Sequence, residues 1–98
     1  MTASGVFDGV VRRYDGEAAW YFITLPLDLA DDIRATTEPA GFGSVRVEVT
    51  IGATTWRTSV FPDKGSGSYV LPVKAQVRAC EHLDDATMTT VTLTVVDG

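Results

Sequence analysis

The stretch Val45-Arg46-Val47-Glu48-Val49-Thr50-Ile51 alternates β-branched apolar residues with polar residues. This two-residue period is typical of a β-strand that buries one face and exposes the other. The stretch Thr90-Val91-Thr92-Leu93-Thr94-Val95 repeats the period, with threonines on the face that a solvated pleat exposes. Both segments predict strands, and the fold class is therefore mainly β.

Turn-forming residues divide the rest of the chain into further short elements. Strands are predicted at about Val6 to Tyr14, Ala19 to Leu25, Thr55 to Val60 and Tyr69 to Leu71. The Asp15-Gly16-Glu17 turn joins the first two as a hairpin, and Gly52-Ala53-Thr54 leads into the strand after Ile51. The segment from Phe61 to Ser68 contains proline, aspartate and glycines, which predict a mobile surface loop.

Two Leu-Pro pairs predict the starts of two short helices. After Leu25-Pro26 the pattern predicts a helix from Leu27 to Thr36, with acids near its start, that ends before Pro39 and Gly41. After Leu71-Pro72, helical spacing places Val73, Val77 and Cys80 on an apolar stripe and Lys74, Gln76 and Arg78 outward. A strand through Val77 has the competing period, but Pro72 disfavours a continuous strand.

An internal repeat relates the two halves of the chain. The Leu-Pro pairs lie 46 positions apart (25 to 71), and the same offset aligns Val45–Val49 with Val91–Val95. Each half reads strand, strand, Leu-Pro, short helix, strand, and it is too small to bury its apolar face alone. We therefore predict one domain over residues 1–98, a six-stranded barrel of two pseudo-symmetric β-β-α-β halves.

The same elements carry a family resemblance over nearly the whole chain. Its segments are Phe7-x-Gly9, Trp20–Pro26, Val45–Val47, Trp56–Ser59 and Tyr69–Arg78. This pattern resembles the bacterial DUF1905 family. The resemblance implies a double-split β-barrel, a single-chain version of the barrel that AbrB-like and MazE-like regulators build from two chains. Family members read Gly-Asp shortly after the second helix, where this chain has Ala86-Thr87, and this departure puts the shape of that turn in question.

Composition restricts the classes of partner. The chain has 98 residues, of which 45% are hydrophobic, and a net charge of −5, whereas nucleic-acid binders usually present a basic face. We expect no nucleic-acid partner. No apolar run approaches the roughly 20 residues of a membrane-spanning helix, and the N-terminus lacks the pattern of a secretory signal. The sequence therefore predicts a cytoplasmic protein, with no membrane partner, as a monomer or weak homodimer.

Residues with chemical potential are scattered, and each has an ordinary structural explanation. Cys80 and His82 are two potential metal ligands without the second pair of a closed zinc site, so no metal or other cofactor is expected. A Ser59–Lys64 dyad is conceivable, but a strand hydroxyl and a solvated loop lysine are favoured. The acids at Asp28, Asp31 and Asp32 suit the first turn of a helix. The sequence predicts no catalytic residue.

One mixed set of basic, aromatic and hydroxyl residues gives the best candidate ligand site. Cations beside aromatic rings hold anionic or planar small ligands through charge-assisted and stacking contacts. The alternative is that the arginines face solvent from strands while the aromatic residues fill the barrel core. The candidate residues are Arg46, Trp56, Ser59, Lys64, Tyr69, Lys74 and Arg78.

The sequence therefore favours a non-catalytic binding or accessory module whose partner is a small molecule or a protein. Two alternatives stay open. One is an enzyme whose site converges from scattered residues such as Arg46, Ser59 and Lys74. The other is a DNA-binding regulator of the AbrB or antitoxin kind, which the acidic composition disfavours.

The acidic composition generates a prediction about DNA. Non-specific affinity for a duplex comes from neutralised phosphates and falls steeply with salt. We expect fluorescence anisotropy titrations of a labelled duplex to show no salt-sensitive binding at moderate ionic strength. Tight binding that weakens steeply as salt is added would support the regulator alternative instead.

Overall fold

The computed structural model describes residues 3–14, 20–36 and 43–96. Six strands form a closed antiparallel barrel in the order β1-β2-β5-β4-β3-β6, which confirms the predicted six-stranded barrel with two helices. Neither helix in this part of the chain is long and apolar enough to cross a membrane. The elements are β1 (Ser4–Tyr14), β2 (Trp20–Thr24), α1 (Leu27–Thr36), β3 (Val45–Ile51), β4 (Thr54–Asp63), β5 (Ser68–Pro72), α2 (Ala75–Glu81) and β6 (Met88–Val95).

Two long strands, β1 and β4, each pair with two different neighbours along their length. The first seven residues of β1, Ser4 to Val10, pair with β6, and the last four, Val11 to Tyr14, pair with β2. In the same way β4 pairs with β3 up to Val60 and with β5 from Phe61 onward. These two strands join the β1-β6-β3-β4 pairs to the β1-β2-β5-β4 pairs and so close the barrel.

The barrel interior is filled by the alternating apolar residues that the sequence shows. Val47 and Val49 of β3, and Val91 and Leu93 of β6, are fully buried. Helix α1 adds Ala30 and other residues to the same core, and α2 adds Val77. Gly9 of β1 lies so close to Ile23 that a Cβ atom built there would approach the Ile23 Cγ2 atom to 2.5 Å. The absence of a side chain at Gly9 therefore allows the buried Ile23 side chain to pack across the barrel.

The structure confirms the helix after Leu71-Pro72 and corrects its exposed face. Strand β5 ends at Pro72 and α2 begins at Ala75, so the continuous strand through residues 72–80 is excluded. Cys80, however, is exposed and does not belong to an apolar stripe. The reason is that α2 has only seven residues and buries a single one, Val77.

The predicted loop from Phe61 to Ser68 is wrong at its beginning and at its end. Strand β4 continues through Phe61, Pro62 and Asp63, and only the four residues between Asp63 and Ser68 form the turn. Pro62 is tolerated because it lies beyond the last β3–β4 pair, at Val60, where its missing N–H removes no bond from that ladder. The Asp63 carbonyl accepts a hydrogen bond from Gly67 N at 3.0 Å, which closes the turn.

Other bounds differ by a few residues from the sequence-based ones. Helix α1 and strand β3 have the predicted bounds, β1 begins two residues earlier at Ser4, and β6 begins at Met88. The β1–β2 pairing confirms the opening hairpin. Its predicted turn, Asp15-Gly16-Glu17, lies outside the described residues, as do Ala19, Pro39 and Gly41.

The strand order is unchanged when β1, β2 and β3 are exchanged with β4, β5 and β6. A pseudo-two-fold relation between the halves would produce such an order. Superposition of residues 22–51 on residues 68–97, with Pro26 over Pro72, stays a prediction.

The turn that departs from the family pattern holds a strained residue. Ala86 has a φ of 69°, in the left-handed region that glycine adopts at little cost. Its backbone N–H donates to the Val11 carbonyl at 2.7 Å, and the Val11 N–H donates to the Thr87 carbonyl at 2.8 Å. These two hydrogen bonds attach the turn to the point where β1 changes partner and hold Ala86 in its conformation.

Replacing Ala86 by glycine is therefore expected to stabilise the protein by about 0.5–1 kcal/mol. Left-handed strain of about 1–2 kcal/mol disappears, while glycine costs about 0.5–1 kcal/mol in backbone entropy. Urea denaturation measures the change. The matched control is Ala79→Gly in the exposed part of α2, which is expected to destabilise by about 1 kcal/mol. Equal destabilisation by both substitutions would contradict the strain at Ala86.

Candidate functional site

A groove of about 320 Å³ opens where β2, β4 and the end of β5 meet α2. Strands of the barrel supply its aromatic residues, while α2 and the segment that precedes it supply two of its cations. Both tryptophans of the protein lie in its wall. The lining residues are Trp20, Tyr21, Trp56, Arg57, Thr58, Pro72, Val73, Lys74, Ala75 and Arg78.

Arg78 is the most constrained cation of the groove. Its guanidinium carbon lies 3.7 Å from the centroid of the Tyr21 ring, and its Nε donates to the Val73 carbonyl at 3.2 Å. The side chain is half-buried, so the prediction that Arg78 faces outward is wrong. The long side chain packs over the Tyr21 ring and bonds to the Val73 carbonyl, so it does not extend into solvent.

The floor of the groove is attached to the barrel core. Tyr21 and Trp56 are both half-buried and pack against the core cluster. The Tyr21 carbonyl accepts a hydrogen bond from Val73 N at 2.9 Å, which ties the segment before α2 to β2. At the other end of α2, Thr54 Oγ1 donates to Glu81 Oε2 at 2.6 Å. The helix is thus held at both ends relative to the strands that carry the aromatic rings.

An exposed group of aromatic residues continues from one edge of the groove. Trp20 is 59% exposed, and its ring is parallel to that of Phe22 with centroids 6.1 Å apart. Tyr14, on the neighbouring strand, meets Phe22 edge-on at 5.6 Å. Because these side chains point away from the core, the indole of Trp20 presents apolar area to solvent at the mouth of the groove.

The groove is positively charged although the protein is acidic. Its three cations are Arg57, Lys74 and Arg78, and no carboxylate is among the lining residues. Arg57 Nε lies 3.3 Å from Glu48 Oε2, in a pair whose two side chains are largely exposed. Within the described ranges, the Lys74 ammonium makes no hydrogen bond or ion pair. The groove therefore retains an excess of positive charge.

A family model described as "Domain of unknown function (DUF1905)" matches residues 7–93, which is nearly the whole chain and includes every lining residue of the groove. The chain belongs to the DUF1905 family. The resemblance seen in the sequence is confirmed. No curated protein matches the chain. The family description assigns no activity, so the function of this DUF1905 domain is inferred from its own groove.

The fold brings together three of the seven predicted site residues. Trp56, Lys74 and Arg78 line the groove of the DUF1905 domain. Trp56 is half-buried there and does not fill the core, because it lies where β4 faces α2.

The other four predicted residues lie elsewhere. Arg46 and Ser59 are opposite each other on β3 and β4. Lys64 is exposed in the turn after β4. Tyr69 is 5% exposed, and the Arg34 guanidinium carbon lies 5.4 Å from its ring centroid. Their part in a ligand site stays a prediction.

Seven of the ten lining residues of the groove were not selected from the sequence as site residues. The sequence indicates Trp20 and Tyr21 only as strand residues and Arg57 only as an outward-facing strand residue. The sequence contains one indication of an aromatic site, which is the adjacent pair Trp20-Tyr21 at the start of a short strand. In a strand, one side chain of such a pair faces the core and the other faces solvent. Nothing local to β2 indicates that Arg78 lies above Tyr21.

Two other features of the DUF1905 domain are weaker candidates for a functional site. Within the described residues, no three His, Cys, Asp or Glu side chains come together in a way that suits a metal ion, and His82 is an exposed residue at the C-cap of α2. A second cavity of about 200 Å³ lies between β1 and α1 and contains Asp28 and Asp32. Asp28 Oδ1 accepts a hydrogen bond from the Leu29 N–H at 2.9 Å, as expected for an acid at the start of a helix.

The contacts of Arg78 predict a cost in stability when it is removed. Replacing Arg78 by alanine is expected to lower the free energy of unfolding by about 1–2 kcal/mol, through loss of the ring contact and of the hydrogen bond to Val73. The matched control is Lys74→Ala, an exposed cation of the same groove, with an expected change below about 0.5 kcal/mol. Chemical denaturation of both variants measures the difference, and equal stabilities would show that Arg78 is merely solvated.

Proposed function

We propose that this DUF1905 domain is a non-catalytic binding module that takes a small-molecule ligand in the groove. The observation that carries the proposal is the convergence of Arg57, Lys74 and Arg78 with Trp20, Tyr21 and Trp56 around one cavity of about 320 Å³. Concave sites in which a few polar groups stand among aromatic side chains are typical of small-molecule binding sites.

The rigidity of the groove supports binding. Tyr21 and Trp56 belong to strands of the closed barrel, and hydrogen bonds at both ends hold α2. A ligand that enters such a site orders few additional side chains, so little of the interaction energy is lost to conformational entropy. Lys74 is the main side chain left for the ligand to immobilise.

The chemical character of the lining favours binding over catalysis. A site for acid-base or nucleophilic chemistry usually combines a carboxylate, histidine, cysteine, lysine or activated hydroxyl with an orienting partner. The lining residues of the groove include no carboxylate, histidine or cysteine, and Ser59 and His82 lie outside it. Lys74 lies in the groove, but within the described residues no side chain orients its ammonium. A charged and aromatic lining of this kind selects a ligand by its charge and shape.

Further properties are proposed with this function. The domain acts in a bacterial cytoplasm as a monomer or weak homodimer. Its single cysteine, Cys80, cannot form an internal disulfide, which is usual for proteins of a reducing compartment. Its two halves form a double-split barrel that arose from an internal repeat. The repeat is supported by the common offset of the Leu-Pro pairs and by a strand order that is invariant to exchange of the halves.

A screen for ligands tests the binding function. Thermal-shift assays against a metabolite library are expected to yield compounds that raise the melting temperature and change the intrinsic fluorescence, because both tryptophans line the groove. Lys74→Ala and Trp20→Ala are expected to abolish these shifts. Lys64→Ala and Phe61→Ala, which change an exposed lysine and an exposed aromatic residue outside the groove, serve as matched controls. Ligands that still bind both groove variants would contradict the assignment of the site.

A further inference from the structure

The orientation of Arg78 leaves one edge of its guanidinium available. The face of the group is stacked on Tyr21, and its Nε is used by the Val73 carbonyl. Among the described residues, no carboxylate pairs with it and no hydrogen bond uses its two terminal nitrogens. These nitrogens form a planar fork that can donate two parallel hydrogen bonds to one carboxylate or phosphate. The geometry of Arg78 therefore suits an oxyanion.

Lys74 supplies a second charge for the same group. It lies in the same groove, four residues before Arg78, and its carbonyl accepts the Arg78 backbone N–H at 3.1 Å. Arg57 is different, because it already has a carboxylate partner, Glu48, at 3.3 Å. Two uncompensated positive charges are sufficient for one carboxylate or one phosphate. A polyanion would leave charge unbalanced in a groove that belongs to an acidic protein.

Aromatic surface indicates the rest of the ligand. Trp20 and Trp56 both line the groove, and Trp20 is largely exposed. Exposed indole rings gain from offset or edge-to-face contact with another ring, and this gain adds to the gain from burial. A flat, unsaturated group that contacts Trp20 would remove this apolar surface from water.

The size of the groove limits the ligand. A volume of about 320 Å³ lies at the lower end of the range of roughly 300–1,000 Å³ for ligand sites. Building on the proposed binding function, we infer that the ligand is a small aromatic molecule with one oxyanion group. Its carboxylate or phosphate binds the Arg78 fork and the Lys74 ammonium, and its ring packs against the Trp20 indole.

Titration with a matched series of compounds tests this ligand class. Phenylacetate and phenyl phosphate are the two oxyanion probes, phenylacetamide is the neutral analogue, cyclohexylacetate is the non-aromatic acid, and inorganic phosphate is the free anion. Binding is followed through the two tryptophan indole N–H signals in ¹H–¹⁵N NMR spectra. At least one aryl oxyanion is expected to bind at least tenfold more tightly than phenylacetamide and at least threefold more tightly than cyclohexylacetate and inorganic phosphate. The two aryl probes show whether the groove prefers a carboxylate or a phosphate.

Substitutions then assign the contacts. Arg78→Lys keeps the charge but removes the fork. It is expected to weaken binding of the aryl oxyanion at least tenfold and to leave the affinity for phenylacetamide unchanged. Trp20→Ala is expected to remove the preference for the aromatic acid over cyclohexylacetate. Lys64→Ala is the control and should behave as the unmodified protein. Because the wild-type compound series needs no variant, it decides the ligand class even if Arg78→Lys fails to fold.

The possible failures are distinguishable. If the amide binds as tightly as the acid, or if Arg78→Lys is folded and binds normally, the oxyanion inference is wrong. If library compounds of other chemistry bind the groove while no aryl oxyanion does, the inference fails and the binding function stands. If no compound of either set changes the indole signals, both fail.

Discussion

Closure of the barrel depends on two long strands that each change pairing partner along their length. β1 passes from β6 to β2, and β4 passes from β3 to β5. The residues near each change of partner suit it. Gly9 provides space on β1, because a Cβ atom at this position would approach the Ile23 Cγ2 atom to 2.5 Å. Pro62 lies beyond the last β3–β4 pair, so its missing N–H removes no hydrogen bond from that ladder. Closure also leaves no free edge among the six strands that the structure describes, which protects a small β-domain from edge-to-edge association.

The groove is a consequence of this closure. Because β2 pairs with both β1 and β5, the end of β5 and the start of α2 are brought next to Tyr21. The hydrogen bond from Val73 N to the Tyr21 carbonyl continues that contact beyond the strand, and Arg78 then returns to the Val73 carbonyl. One ring and one guanidinium are thereby stacked at 3.7 Å. The same backbone contacts that complete the fold thus orient the cation that is best placed to bind a ligand.

The groove has a local positive charge that the negative net charge of the protein conceals. A protein with a charge of −5 repels anions over most of its surface, and it attracts them only where cations cluster without compensating carboxylates. Arg57 is largely compensated by Glu48, whereas Lys74 and Arg78 have no ion-pair partner in the part of the chain that the structure describes. Partial burial of Arg78 strengthens its interactions, because a half-buried charge is less screened than an exposed one.

Elements that depend on local period and turn chemistry could be predicted from the amino-acid sequence alone. Alternation in β3 and β6, the Leu-Pro pairs before the helices and the offset of 46 positions (25 to 71) between them were sufficient to predict six strands, two helices and a barrel. The family resemblance agreed with them. Local rules failed where a neighbour distant in the chain decided the outcome. Pro62 and Asp63 read as loop residues but extend β4, because β5 offers them a partner.

The site was determined only by the tertiary structure. The set predicted from the sequence included Trp56, Lys74 and Arg78, yet it could not separate them from Arg46 or Lys64, because residue type does not report which side chains converge. Tyr21 and Arg78 are separated by most of the chain, and only the β1–β2–β5 pairing brings them together. Period and turn chemistry act between residues a few positions apart, and they therefore specify strands and helices. A binding groove requires contacts between residues that are distant in the chain, and those exist only after the barrel has closed.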